Sequence, residues 1–211
     1  MYRAPIFTAV VMLCFPIAAI AGEYNQVLDI GDEAPAWSNL VGVDDAKHSF
    51  SDLSDKKVVV VVFTCNSCPY AVDVEDRLNA LHDKFAEQGV QLIAINVNKV
   101  EADLLPAMKE KADAKDFEFP YLFDASQRIA KDYGANNTPE FFVLDQKRRV
   151  IYMGSLDDSP DGKKVTKQYV EYAIVAALAG KKPAVAETVS IGCRIRFERA
   201  RRSRRSTSST E

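Results

Sequence analysis

The sequence predicts an α/β fold in which helices cover a mixed sheet. Two short apolar runs, Lys57 to Thr64 (KVVVVVFT) and Val90 to Val97 (VQLIAINV), are the first observation. They are continuous, rich in β-branched residues and free of polar alternation, as suits strands buried on both faces. Between them, Val74, Leu78, Leu81 and Phe85 recur at helical spacing. Further on, two apolar runs joined by the turn Asp145 to Arg149 read as an antiparallel pair, which makes the sheet mixed rather than purely parallel.

The elements follow in order. Lys57 to Thr64 is the first central strand, and Pro69 is suited to the first turn of the helix after it. That helix runs through Val72 to Gln88 and stops at Gly89. Val90 to Val97 is the second buried strand. Glu101 to Ala114 has helical character with an interruption at Pro106. Phe119 to Phe123 is a short apolar strand, and Ser126 to Tyr133 a short helix stopped by Gly134. Glu140 to Leu144 and Val150 to Met153 form the hairpin. Lys164 to Ala179 closes the fold as an amphipathic helix ending at Gly180. The sequence contains no internal repeat.

The 211 residues suit one domain with extensions. Residues 1–21 read as a secretory signal: Arg3 supplies the positive start, Ile6 to Ile20 the apolar stretch, and Ala19-Ile20-Ala21 a small-x-small cleavage site. Residues 22–193 form the folded domain. Residues 194–211 carry seven Arg against two Glu and read as a basic disordered tail, able to touch an anionic membrane surface. The rest of the chain is acidic, which argues against nucleic acid as a partner.

Three cysteines lie outside the signal: Cys65, Cys68 and Cys193. Cys65-Asn66-Ser67-Cys68 falls where the buried strand meets the helix. A thiolate there is stabilised by unpaired N–H groups and the positive end of the helix dipole. The two-residue spacer lets the second sulfur resolve a mixed disulfide on the first. Cys65 is therefore expected as the exposed nucleophile and Cys68 as the resolving thiol one turn into the helix. A structural zinc site or a static disulfide is the plainer alternative. Cys193 reads as a small buried hydrophobe, or else as a third thiol or an intermolecular partner. His48 is expected in a turn and His82 as a surface or satisfied residue; neither has metal-ligand spacing. Thr138-Pro139, just before a strand, marks a fixed turn.

FTCNSCP followed by a helix, and YGANNTPEFFVLD followed by VIYMGSLDD, together resemble the thioredoxin fold, a three-layer α/β/α sandwich. Gly31-Asp32-Glu33-Ala34-Pro35 resembles the opening of its redoxin (AhpC/TSA-type, peroxiredoxin-like) branch. Cys65 to Tyr70 (C-N-x-C-P-Y) and Gly192-Cys193-Arg194-Ile195 (G-C-x-I) resemble a bacterial subgroup of thioredoxin-family proteins. The resemblance implies Cys65 as attacking thiol, Cys68 as resolving thiol, and Pro139 as a cis-proline facing them. Thr138 would then offer backbone hydrogen bonds to an extended substrate. Two departures stand out. The strand Val58 to Phe63 carries no acid to deprotonate the second cysteine, so another base must act. Val62 occupies the position where peroxiredoxins use Thr or Ser to polarise peroxide.

These residues point to a thiol–disulfide oxidoreductase in an exported compartment, acting on a protein disulfide or thiol with a protein redox partner. No cofactor motif is present, and no metal is required. A thiol-dependent peroxidase is the alternative. A copper chaperone on the same fold and a non-catalytic binding module are the lesser ones.

Overall fold

The computed structural model describes residues 22–198. The expected signal segment and most of the expected basic tail lie outside the described residues. Strand β3 (Val58–Phe63) holds the centre of a seven-stranded sheet. It runs parallel to β4 (Val90–Asn96) on one side and antiparallel to β7 (Glu140–Leu144) on the other. Beyond β4 come β5 (Tyr121–Phe123), β1 (Leu40–Gly42) and β2 (Lys47–His48); beyond β7 comes β8 (Val150–Gly154). The sheet is mixed, as its sequence predicts.

Both faces of β3 are sealed, which explains the uninterrupted valines. Val58, Val60 and Val62 pack with α2 (Glu75–Phe85), α3 (Leu105–Ala114) and α5 (Tyr169–Leu178). Val59, Val61 and Phe63 pack on the other face with α4 (Arg128–Asp132), Trp37, Leu53 and Ile195. Every one of these strand residues is fully buried. Each such side chain removed from water contributes about 1.5 kcal/mol or more, which outweighs any preference for alternation.

Several boundaries differ from the sequence reading. The helix after the motif is split at Val74 (φ −99°, ψ −6°) into α1 (Pro69–Asp73) and α2. The Asp73 carbonyl at that break accepts from the Arg77 guanidinium at 3.3 Å. Pro106 does not interrupt α3; it sits in its first turn, where its missing N–H costs nothing. Helix α4 starts later than expected because Gln127 before it is left-handed (φ 59°, ψ 15°), and the Asp124 carboxylate accepts from Ile129 N at 2.9 Å. Helix α5 starts late because Asp158 accepts from Thr166 N and Lys167 N at 2.8 and 3.0 Å, which fixes that stretch as a loop. His48 lies in strand β2, not a turn, 3.1 Å from Asp44.

The expected tail boundary is also too early. Cys193–Arg194 form strand β9, which pairs antiparallel with β6 (Asn137–Thr138). Ile195 is buried and Phe197 packs beside it. By sequence the arginines suit a solvated run, but the two apolar residues between them anchor the segment to the fold.

Candidate active site

The site forms where β3 ends. Thr64 closes the strand, and Cys65 to Cys68 bridge it to α1. Cys68 is the N-cap of α1, with extended backbone (φ −87°, ψ 119°) and Pro69 in the first turn. It therefore precedes the helix instead of lying one turn into it. Pro69 has no N–H to offer, so the free donors at this end come from the residues beyond it. Ala71 N and Val72 N both donate to the Cys68 carbonyl at 3.0 Å.

The spacer between the cysteines is held from outside. Asp103, fully buried in the loop between β4 and α3, accepts from Ser67 N at 2.8 Å and from Ser67 Oγ at 2.7 Å. Asn66 donates to the Ala102 carbonyl at 3.0 Å and accepts from the Tyr121 hydroxyl at 3.0 Å. Two polar side chains thus fix a loop whose own sequence has no turn-forming Gly or Pro.

Thr138 meets both sulfurs. Its peptide bond to Pro139 is cis, as the resemblance implies. Its hydroxyl lies 3.4 Å from Cys65 Sγ, and its carbonyl accepts from Cys68 Sγ at 2.9 Å. Glu140, the next residue but one, is buried and turns back on the approach to this peptide. Its Oε2 accepts from Asn136 N at 2.9 Å and Asn137 N at 3.0 Å. Burial outweighs these hydrogen bonds and raises its pKa.

The third thiol arrives on β9. Register pairs Thr138 with Cys193, and the half-buried Cys193 packs against Cys65, Cys68 and Ala71. Gly192 is necessary for this approach: a Cβ there would lie 2.2 Å from the Thr138 carbonyl oxygen. The edge of Thr138 expected to receive an extended substrate is therefore already paired with the chain's own C-terminal strand.

The cysteines are free thiols packed in one cluster. The Cys65 thiol, with help from Cys193, the Thr138 hydroxyl and the Ala71 N–H, brings the Cys68 pKa down to about 4 against the effect of burial. Cys65 moves far up, because it is hydrogen-bonded to Cys68, is buried, and faces the Asp103 charge. Cys193 is pushed up to about 11, chiefly by its hydrogen bond to Cys68. The Thr138 carbonyl works against a Cys68 anion, since it accepts from a thiol and repels a thiolate. Such a cluster loses one proton early and the next late. The expectation of an exposed, acidified Cys65 is thus corrected. Cys65 is only 3% exposed, and the residue at the helix terminus, with the lowered pKa, is Cys68.

The structure brings Cys65, Cys68, Thr138 and Pro139 together. Asp103, Tyr121 and Glu140 were not singled out, and no local signal marks them. Each comes from a separate element and reaches the site only through the fold. Val62 is buried and apolar, so it offers no hydroxyl. Among the described residues, no group of three or more His, Cys, Asp or Glu is arranged to hold a metal ion.

Comparison with known proteins agrees with this architecture. The chain is similar to the thiol-disulfide oxidoreductase ResA of Bacillus thuringiensis subsp. konkukian, 27% identical over 150 residues that cover 70% of this chain and 79% of that protein. It is similar to a structure of a hypothetical protein from Sinorhizobium meliloti 1021, at 30% identity and a TM-score of 0.78, covering 83% of this chain and 98% of that one. A putative thiol:disulfide interchange protein DsbE from Chlorobium tepidum is 26% identical with a TM-score of 0.60, covering 72% of this chain and 99% of that one. The family model described as the AhpC/TSA family matches residues 30–153, more than half of the sequence. The sheet, the cysteine pair at the end of its central strand and this match lead to one assignment: the chain belongs to the AhpC/TSA family.

Proposed function

We propose that the protein is a thiol–disulfide oxidoreductase in which Cys65 attacks and Cys68 resolves. The observation that carries this reading is the contact of both sulfurs with Thr138 beside the cis peptide, 3.4 Å from its hydroxyl and 2.9 Å from its carbonyl. The relatives named for thiol–disulfide exchange support it.

The base that β3 lacks is supplied by Cys68, which packs against Cys65 and whose ionised form takes the Cys65 proton. The Cys65 thiolate, facing the Thr138 hydroxyl and the Cys68 N–H, attacks a substrate disulfide. One substrate sulfur leaves as thiolate and the other remains bonded to Cys65. Cys68 then gives its proton to a departing thiolate and attacks Cys65 Sγ. The internal disulfide forms and the second substrate sulfur leaves, so two thiols are oxidised and one substrate disulfide is reduced. The reverse sequence oxidises a substrate dithiol.

The shallow hollow lined by Tyr70, Pro139, Pro160 and Ile191 suits an extended protein segment beside the motif. Tyr70 and Ile191 are 40% and 46% exposed, apolar surface that a substrate would cover. We further propose export, which rests on the expected signal in residues 1–21 and on the use of a disulfide couple, stable in oxidising compartments.

The test is the redox equilibrium of residues 22–211 in graded thiol–disulfide buffers, with free thiols trapped by a mass tag. A reversible Cys65–Cys68 couple is expected. A potential near about −270 mV would make it a reductase, and one near about −120 mV an oxidant. Absence of a reversible disulfide between these residues overturns the reading.

A further inference from the structure

We propose that Cys193 is a third redox thiol, which receives the disulfide from the Cys65–Cys68 pair and holds it as Cys68–Cys193. The inference deepens the thiol–disulfide reading and rests on it. Three observations carry it. Cys65, Cys68 and Cys193 pack into one cluster with Ala71, so the third thiol lies against the redox pair. Cys193 is placed by backbone pairing with Thr138, whose carbonyl accepts from Cys68 and whose hydroxyl faces Cys65. Its segment is also fastened along its length. Ile195 N donates to the Asn136 carbonyl at 2.8 Å, and Asn137 Nδ2 donates to Ser190 Oγ at 2.8 Å.

A cysteine kept only for packing needs none of this registration. Cys193 stands instead where an extended substrate strand beside Thr138 would present its own sulfur. The C-terminal strand is an internal occupant of that edge.

The exchange balances without an outside oxidant. After Cys65 and Cys68 are joined, the Cys193 thiol gives its proton to the thiolate leaving the site. Its sulfur then attacks Cys68 Sγ. The Cys68–Cys193 bond forms, the Cys65–Cys68 bond breaks, and Cys65 departs as a thiolate. No electrons are gained or lost overall. Cys65 is thereby free while the oxidised state is stored next to it.

The experiment uses the full chain with Cys14→Ser throughout, equilibrated with oxidised and reduced glutathione, alkylated, digested and mapped by mass spectrometry. In the parent protein, one peptide closed internally by Cys65–Cys68 and two peptides joined through Cys68–Cys193 are both expected. In Cys65→Ser, glutathione on Cys68 should be displaced by Cys193, leaving a Cys68–Cys193 linkage. That linkage must vanish in Cys65→Ser/Cys193→Ser. A persistent Cys68–glutathione adduct in Cys65→Ser, or free Cys68 and Cys193 where the parent is fully oxidised, overturns the proposal. Should Cys65→Ser fail to fold, the parent map decides, and complete absence of the Cys68–Cys193 pair there overturns it. Cys193→Ser separates the two readings: a reversible Cys65–Cys68 couple persists if only the relay is wrong, and none appears in any protein if the oxidoreductase reading is wrong.

Discussion

Asp103 grips Ser67 by two hydrogen bonds, 2.8 Å to its backbone nitrogen and 2.7 Å to its hydroxyl. A buried carboxylate from one loop therefore sets the shape of another, the spacer between the two cysteines. Asp103→Asn keeps one acceptor for the backbone nitrogen but loses the charge. Hydrogen bonds to charged groups contribute about 1.5–3 kcal/mol, and denaturant unfolding should show a loss in that range. The same substitution removes a negative charge that opposes ionisation of Cys65. The thiol pKa of Cys65 should fall, read by the pH dependence of alkylation in Cys68→Ser.

Thr138→Val tests the opposite sign. The hydroxyl favours the ionised form of both Cys65 and Cys68. Its loss should raise the first thiol pKa of the cluster by about 1 and slow reaction with a small disulfide near neutral pH several-fold. An unchanged thiolate titration by ultraviolet absorbance would show that the 3.4 Å contact has no electrostatic part in the chemistry.

Glu140 makes a statement about pH and stability. Burial raises its folded pKa above the ordinary 4.5. The folded protein then binds more protons than the unfolded chain, so stability falls as pH rises from about 4.5 through the folded value. Glu140→Gln removes that slope. Unfolding free energies measured across this range should fall less steeply in the variant, and parallel curves would contradict the assignment.

Tyr70 follows the motif directly and is 40% exposed beside the hollow at Pro139. Tyr70→Ala should weaken binding of a protein disulfide about tenfold, the effect of about 1.4 kcal/mol, with little change toward a small aliphatic disulfide. Equal losses on both substrates would locate substrate binding elsewhere.

Ile195 lies in the expected tail yet is only 6% exposed. Ile195→Ala should cost about 2–3 kcal/mol if the C-terminal segment is part of the cooperative fold. A loss below about 0.5 kcal/mol would mean that the segment opens independently.

How much of this was legible depends on whether the signal is local. The valine run, the helix spacing of Val74 to Phe85 and the Cys65–Cys68 pair each announce themselves within a few residues. The cis peptide at Pro139 was reached through resemblance. Strands β1 and β2 were missed because three and two residues are too few to show a period. Asp103, Tyr121 and Glu140 are ordinary residues until β4, β5 and β7 carry them to the motif. Cys193 was placed near the end of the fold, but its neighbours could not be read, since only the β6–β9 pairing brings it back to Thr138.

The valines of β3 have one more consequence, and it concerns the chain before it folds. Val58 to Phe63 is a six-residue window of high β propensity with no charge and no proline. Such a window is the signature of segments that stack into cross-β aggregates when left open. In the native sheet it has no free edge, because β4 and β7 flank it. Lys56 and Lys57 stand at its start, where like charges oppose the stacking of identical strands. The partner β4 follows closely in sequence, but β7 is far downstream, and distant pairings close late. Solubility during synthesis thus depends on how long one side of this strand waits for β7, and those two lysines guard it in the interval.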